Sequence, residues 1–192
     1  MVEHNTKARP YMVCRSGSAG IQRYAQVWGG DNLTDWRTVK FNIATILGMG
    51  LSGCSNMGCD IGGFAGPAPE AELLLRWLQN GIFQPRFCLN SANNDNTVTQ
   101  PWMYEENLPY IRAAYQLRYR LMPTLYSLMY ESNQNGMPAW RPLFLEFPDD
   151  PKCYTDKNLT FMFGKSILVA NVVEKGATTR TIYLPAGCTW YD

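Results

Sequence analysis

The sequence predicts an α/β fold in which strands and helices alternate, followed by a smaller all-β region. Up to about residue 135, short apolar segments alternate with segments of helical periodicity, an order typical of a parallel sheet with crossover helices. From Ala139 onwards, apolar segments follow one another with only turns between them. With 192 residues, 46% of them apolar, the chain is long enough to bury a sizeable core.

About four strand–helix units are predicted in the first region, with four strands and three helices. Apolar runs place its strands at residues 11–14, 23–28, 52–57 and 84–90. Apolar spacing of three and four residues places helices from 31 to 48 or 50, at 69–78 and at 106–133, the last kinked by Pro123. The later β segments are predicted at 140–147, 161–173 and 179–184, with the boundary between the regions near 136–138.

The ends of the four predicted strands carry charged or polar side chains. A closed (β/α)8 barrel needs eight strand–helix units, so four units predict a partial barrel or a small open sheet. In such barrels the functional residues lie at the carboxyl ends of the strands. Here those ends carry Arg15, Asp31, Asp60 and Asn90. A sugar site needs such a set, although many strand-to-helix loops carry one as well.

The composition excludes several other classes of protein and site. The net charge is +1, from 17 basic and 16 acidic residues without a basic stripe, so we expect no nucleic-acid partner. Apolar runs are shorter than the roughly 18 residues of a membrane helix, so we expect no membrane partner. Six cysteines without a CxxC pair, and a single histidine, predict buried thiols and no metal site. The first ten residues hold no apolar leader, which favours a cytoplasmic location without assigning one.

Several motifs, in register along nearly the whole chain, resemble glycoside hydrolase family 31. They are RS at 15–16, GIQRY at 20–24, WGGDN at 28–32, W at 36, GLSG at 50–53, DIGGF at 60–64, RYRLMPTLY at 118–126 and RPL at 141–143. The family contains α-glucosidases, α-xylosidases and a few α-glucan lyases. The resemblance implies that residues 1–137 form the C-terminal half of a (β/α)8 TIM barrel, roughly strands five to eight. It implies that residues 138–192 begin the proximal C-terminal β-sandwich.

Within this resemblance, Asp31 matches the general acid/base. Glycoside cleavage needs a proton delivered to the leaving oxygen and then removed from an incoming water, and one carboxyl can do both in turn. Without the resemblance, the Gly-Gly-Asp-Asn run before a helix favours an N-cap at Asp31 instead. Both roles can coexist if Asn32 or Thr34 takes the cap.

Five further residues match positions around the sugar. Arg15 matches an arginine that reaches the sugar hydroxyls and the acid/base, and Asp60 matches an aspartate of the same pocket. Trp28 and Phe64 match aromatic side chains around the sugar ring. The alternatives are a surface arginine, a turn before two glycines, and core packing of the two rings. Asn90 lies where relatives usually place a histidine, and because asparagine cannot become a cation we expect a different substrate preference.

The resemblance also implies a nucleophile that this sequence does not contain. Relatives carry it as the aspartate of a Trp-x-Asp-Met-x-Glu motif upstream of the matched region, and no such motif occurs here. A retaining mechanism needs two carboxyls only about 5 to 5.5 Å apart. Asp35 and Asp60 are the nearest candidates, and neither has the motif around it. We therefore expect the chain alone to be inactive.

The sequence thus predicts a fragment of a retaining α-glycosidase that acts on an α-glucoside or α-xyloside and needs no cofactor. Half a barrel leaves apolar surface uncovered, so the expected partner is the missing N-terminal half-barrel or a second copy of the chain. Two alternatives stay open. One is a non-catalytic half-barrel that binds sugar or self-associates, and the other is a fragment of an α-glucan lyase.

Overall fold

The computed structural model of the chain describes residues 7, 9–155 and 159–192. Its strands and α-helices, in chain order, are β1 (Val13–Cys14), β2 (Gln26–Trp28), α1 (Trp36–Leu51), β3 (Met57–Gly58), β4 (Ala65–Gly66), α2 (Ala71–Gly81), β5 (Ala92–Asn93), α3 (Leu108–Asn135), β6 (Trp140–Pro142), α4 (Leu143–Glu146), β7 (Phe161–Phe163) and β8 (Ile167–Val169). Single turns of 3-10 helix lie at Ile21–Arg23, Pro101–Met103, Glu105–Asn107 and Pro151–Tyr154.

Strands β1, β2 and β3 form a parallel sheet in chain order. Just after β3, a single parallel bridge joins Asp60 to Cys88, so the segment around Cys88 lies next to β3 as the fourth in the same order. Because the carboxyl ends of parallel strands meet at one edge of a sheet, the loops after β1, β2, β3 and Cys88 lie side by side. A second small parallel pair, β4 with β5, lies just beyond that edge.

Helix α1 begins at Trp36 and is capped by Asp35. The Asp35 carboxylate accepts a hydrogen bond from the Thr38 backbone N–H at 2.7 Å, which satisfies one of the free donors of the first turn. The alternative in which Asp31, Asn32 or Thr34 caps this helix is therefore wrong. The helix starts only at Trp36, because the residues before it first pair with β4: Leu33 forms a parallel bridge with Ala65, and the Thr34 N–H donates to the Ala65 carbonyl at 2.9 Å.

Removing the Asp35 cap is expected to destabilise the fold modestly. We expect Asp35→Ala to lower the free energy of unfolding by about 1 kcal/mol, and Asp35→Asn to be nearly neutral, since asparagine caps equally well. Burial opposes the charge on Asp35, but the hydrogen bonds from Thr38 and the charge of Arg37 outweigh it and lower its pKa. A lowered folded-state pKa adds stability above the unfolded pKa of about 3.9 that is lost as the pH falls. In urea denaturation, the penalty of Asp35→Ala should therefore shrink below about pH 4, and a pH-independent penalty would contradict this assignment.

The main core lies between α1, α3 and the later β region. Strands β6, β7 and β8 form an antiparallel sheet, and the fully buried Trp140 stacks on Phe161 with ring centroids 3.9 Å apart. Ile43 and Ile46 of α1 pack into the same cluster as these rings. The later β region is thus fixed against the helices of the first region by apolar burial rather than by surface contacts.

Helix α3 runs through Pro123 without interruption and carries one buried cation. The Arg118 guanidinium donates to the carbonyls of Ile82, Gln84 and Pro85 at 2.8, 2.6 and 3.1 Å. Burial lowers the pKa of Arg118 to about 10, which still leaves it charged at neutral pH. Arg118 therefore holds the backbone of residues 82–85 against α3.

The predicted strands are longer than those observed. Residues 23–28 contain the strand only from Gln26, residues 52–57 contribute only Met57 to β3, and residues 84–90 pair through the one bridge at Cys88. Residues 140–147 split into β6 and α4, and 161–173 split into β7 and β8 at Gly164, whose φ of 63° turns the chain. Residues 179–184 form no strand in the described chain, and most of their side chains face solvent.

Within the described ranges, no helix combines the length and the apolar character needed to cross a membrane.

Candidate active site

Two glycines after β2 place Asp31 at the sheet edge. A Cβ at Gly29 would lie 2.7 Å from the Cys59 sulfur, so only glycine lets this loop pack against the chain after β3. Gly30 has a φ of 73°, a left-handed conformation that glycine adopts without strain. The Asn32 side-chain amide then donates to the Gly29 carbonyl at 3.3 Å and closes the turn. The loop thus presents Asp31 beside the end of β1.

Arg15 and Asp31 meet at this edge. Their guanidinium nitrogen Nη2 and carboxylate oxygen Oδ2 lie 3.4 Å apart, and the side chains are 61% and 41% exposed. An ion pair this exposed contributes only about 0 to 1 kcal/mol to stability. The pair is therefore accessible to a ligand, and its effect on the fold is small.

An open cleft of about 600 Å³ lies beside this pair. Its rim carries Arg15 and Asp31, Trp28 forms one wall, and the side chains of Met49 and Met57 line it further. A concave surface with a few convergent polar groups on apolar walls is the usual form of a small-molecule site. Arg15, Trp28 and Asp31 are thus brought together on one cleft.

Asp60 lies behind the cleft rather than on its lining. Its side chain is fully buried, and Arg86 Nη1 lies 2.8 Å from Asp60 Oδ1. The amide of Asn90 donates to the other oxygen, Oδ2, at 3.2 Å. Both oxygens of Asp60 are therefore engaged by protein groups, and the side chain of Asn90 is the exposed member of this group.

Phe64 reaches the Asp31 loop through its backbone. Its N–H donates to the Asn32 carbonyl at 2.8 Å, and its carbonyl accepts from the Ala92 N–H at 2.7 Å. The ring is half-buried, and among the described residues it is not part of the cleft lining. The predicted residues therefore form two groups, one on the cleft and one in the loops behind it.

Arg86 belongs to this second group and was missed from the sequence. Its guanidinium carbon lies 5.8 Å from the centroid of the Trp28 ring while its Nη1 binds Asp60. The available signal was a cation inside the otherwise apolar segment 84–90. Such a residue is rarely buried unless it has an anionic partner.

Three buried polar atoms of the segment around Asp31 have no hydrogen-bond partner among the described residues. They are Nε1 of Trp28, Oδ1 of Asn32 and Oγ1 of Thr34. Buried polar side-chain atoms are normally paired, so each such atom needs an explanation. Four further atoms of this kind lie in α1 and α2, at Asn42, Arg76 and Trp77, so unpaired atoms alone do not distinguish the Asp31 loop.

Cys59 lies directly beneath the Asp31 loop and is fully buried. Burial, with the neighbouring charge of Asp60, raises the pKa of its thiol to about 12. No disulfide joins any of the six cysteines, of which Cys54, Cys59 and Cys153 are buried and Cys188 is exposed. Among residues 7, 9–155 and 159–192, no group of three His, Cys, Asp or Glu side chains could hold a metal ion.

The burial of Cys59 predicts its reactivity. At pH 8 we expect iodoacetamide to modify Cys188 within minutes and to leave Cys59 unmodified in the folded chain, because the thiolate is the nucleophile. Peptide mapping by mass spectrometry, with a urea-unfolded sample as control, measures both sites. Equal labelling of the two cysteines in the folded chain would contradict the packing of Gly29 on Cys59.

The chain matches two family models and many relatives. Residues 1–128 match the glycosyl hydrolases family 31 TIM-barrel domain, and residues 136–192 match the family 31 C-terminal domain. The chain is 42% identical to a probable glucan 1,3-alpha-glucosidase of Oryza sativa subsp. japonica over 187 residues, and 42% identical to the neutral alpha-glucosidase C of Homo sapiens over 188 residues. In each case 97% of this chain is covered, but only 20% of the relative.

Solved structures give the same result. A family 31 alpha-xylosidase from a soil metagenome, complexed with xylose, superposes with a TM-score of 0.91 at 31% identity, over 97% of this chain and 31% of that one. A family 31 dextranase of Flavobacterium johnsoniae, complexed with glucose, superposes with a TM-score of 0.88 at 36% identity, over 97% of this chain and 24% of that one. The fold is therefore that of the family's TIM-barrel part with its C-terminal domain. The chain belongs to glycosyl hydrolase family 31 and spans about a fifth of the length of these curated relatives.

Proposed function

We propose that this chain supplies the acid/base side of the active site of a retaining α-glycosidase. The observation that carries the proposal is the accessible Asp31 carboxylate, held 3.4 Å from Arg15 at the rim of the cleft. Asp35, and not Asp31, is the cap of α1, so the sequence of the loop has no helix-capping reason to place a carboxylate at residue 31. The carboxyl is free to protonate a leaving oxygen and then to deprotonate a water.

The second carboxylate of the mechanism is proposed to come from outside residues 1–192. A retaining enzyme places its nucleophile about 5 to 5.5 Å from the acid/base. Asp35 is committed to the α1 cap, and Asp60 is buried with both oxygens engaged. In line with this, we propose that residues 1–137 form strands five to eight of the barrel and that residues 138–192 begin a β-sandwich.

The proposed substrate is an oligosaccharide with an α-glucosidic bond. The relatives named above include glucosidases, and one structural neighbour is an alpha-xylosidase that holds xylose, so an α-xyloside is the competing substrate. Arg15 supplies hydrogen-bond donors beside Asp31, and the Trp28 ring supplies an apolar wall. Asn90 and Phe64 are proposed to contribute from the second group, with Asp60 acting through Asn90.

The partner proposed for the chain is a complementing half-barrel. Tyr119, Met122, Tyr126 and Tyr130 project from one side of α3 and are exposed. Their spacing of three and four residues aligns them on a single face, and a contiguous apolar face of this kind is usually covered by another element. Light scattering after size exclusion shows whether a second copy of the chain or a different segment covers this face of α3. A dimer supports pairing of two copies, and a clean monomer supports a complementing segment of different sequence.

Turnover of an aryl α-glucoside tests the proposal. The purified 192-residue chain should show no turnover. A chimera in which it replaces the matching fifth of a curated relative should be active, once circular dichroism and size exclusion show that the chimera is folded. The unmodified relative is the positive control. Turnover by the isolated chain that Asp31→Asn abolishes would contradict the proposed external nucleophile, and a folded but inactive chimera would contradict the proposed function.

A further inference from the structure

We propose that Arg86 is a positioning residue that holds the Trp28 wall of the cleft and the Asp60–Asn90 pair in one fixed arrangement. This inference rests on the proposed function only for its effect on catalysis. The positioning itself is a property of the fold and can be measured without any substrate.

One guanidinium makes two contacts that belong to different strand ends. Its Nη1 lies 2.8 Å from Asp60 Oδ1, in the loop after β3, and its central carbon lies 5.8 Å from the Trp28 ring centroid, at the end of β2. The planar guanidinium can pair with a carboxylate through its edge while its face or flank contacts an aromatic ring, which a lysine ammonium cannot reproduce. Arg86 therefore joins the ends of two neighbouring strands.

Burial makes the ion pair rigid. The side chain of Arg86 is 12% exposed and that of Asp60 is fully buried, so water cannot replace either partner without opening the fold. A desolvated, charge-assisted hydrogen bond is both stronger and more directional than the exposed pair of Arg15 with Asp31. Asp60 in turn accepts from the Asn90 amide at 3.2 Å, so the same cation also fixes Asn90.

The backbone of Arg86 is held from both sides as well. Its N–H donates to the Met57 carbonyl at 3.3 Å, and a Cβ at Gly58 would lie 2.2 Å from the Arg86 carbonyl, so only glycine permits this approach of the two chains. On the other side, Arg118 binds the carbonyls of Gln84 and Pro85. The backbone of Arg86 is thus fixed, and a side chain can hold Trp28 and Asp60 in place only if its own backbone is fixed.

Nuclear magnetic resonance of the indole groups of the isolated chain tests this arrangement. The six tryptophans give six indole N–H cross-peaks, and the peak that is missing from Trp28→Phe identifies Trp28. In Arg86→Met we expect the Trp28 peak to shift or broaden while the peaks of the other five stay in place. Arg86→Lys should retain the charge opposite Asp60 but still shift the Trp28 peak. Arg120→Met removes an exposed arginine of α3 and should leave all six peaks unchanged.

The outcomes of this experiment are distinct. An unmoved Trp28 peak in folded Arg86→Met overturns the proposal. Loss of dispersion of all six peaks in both Arg86→Met and Arg86→Lys also overturns it, because it assigns Arg86 to general stability. A Trp28 shift confined to that residue supports the proposal.

Kinetics then show whether the positioning matters for catalysis. In the active chimera, Arg86→Met should lower kcat/KM by roughly 10- to 100-fold, with Arg86→Lys in between, because a displacement of about 1 Å in a site can cost a factor of 100. If the unmutated chimera is folded but inactive, the proposed function fails while the indole spectra still decide the role of Arg86. An unchanged kcat/KM beside a shifted Trp28 peak would restrict Arg86 to the architecture of the cleft and overturn its catalytic importance.

Discussion

Asp31→Asn is expected to lower kcat/KM for an alkyl α-glucoside by about 100- to 10,000-fold in the active chimera, the usual contribution of a general acid/base. The amide keeps the size of the side chain and its place beside Arg15, but it can neither give a proton to the leaving oxygen nor take one from water. The measurement is initial-rate kinetics with release of the alcohol as readout.

The matched control for this variant is Asp35→Asn, four residues along the same loop. It makes the same chemical change at a carboxylate that caps α1, and asparagine retains the cap. We expect kcat/KM within about twofold of the unmutated chimera, since the capping hydrogen bond is preserved. Equal losses in the two variants would show that the loop tolerates no change at all, and would remove the argument for Asp31 as the acid/base.

Asp60→Ala is expected to lower the free energy of unfolding of the chain by about 3 to 5 kcal/mol. Removing the carboxylate leaves the guanidinium of Arg86 buried without its partner, and the penalty for an uncompensated buried charge is of this order. The Asn90 amide loses its acceptor as well. Urea denaturation at pH 7, followed by tryptophan fluorescence, gives the value.

Asp31→Ala provides the comparison, because it also removes an aspartate that is paired with an arginine. Its pair is exposed, so we expect a loss of no more than about 1 kcal/mol. We therefore expect Asp60 to matter mainly for stability and Asp31 mainly for catalysis. A loss for Asp60→Ala as small as that for Asp31→Ala would mean that water reaches Arg86 and that the buried pair is not formed.

The helices were predictable from the sequence, and the strands less so. Helix α2 begins two residues after the predicted start at 69, and α3 is displaced by two residues from the predicted 106–133, because periodic apolar spacing is a local signal. The start of α1 was missed by five residues, since several capping residues lie before it. The ends of a strand depend on hydrogen bonds to segments that are distant in the sequence. Apolar composition does not contain this information, so the predicted strands were too long.

The candidate site was predictable only where motifs indicated it. The resemblance placed Arg15, Trp28 and Asp31 together, and the structure brings all three to one cleft. It also named Asp60 and Asn90, but only the fold shows that their partner is Arg86 and that the carboxylate is enclosed. No motif marks Arg86, because its importance comes from contacts with residues 26 and 58 positions away in the chain.

The most direct test of Asp31 as acid/base compares two leaving groups in the chimera. Methyl α-glucoside needs its leaving oxygen protonated, whereas fluoride departs from α-glucosyl fluoride without a proton. We expect Asp31→Asn to slow hydrolysis of the methyl glucoside at least about 100-fold more than formation of the glycosyl-enzyme from the fluoride. The same loss on both substrates would show that Asp31 does not transfer the proton, and would contradict its role as the acid/base.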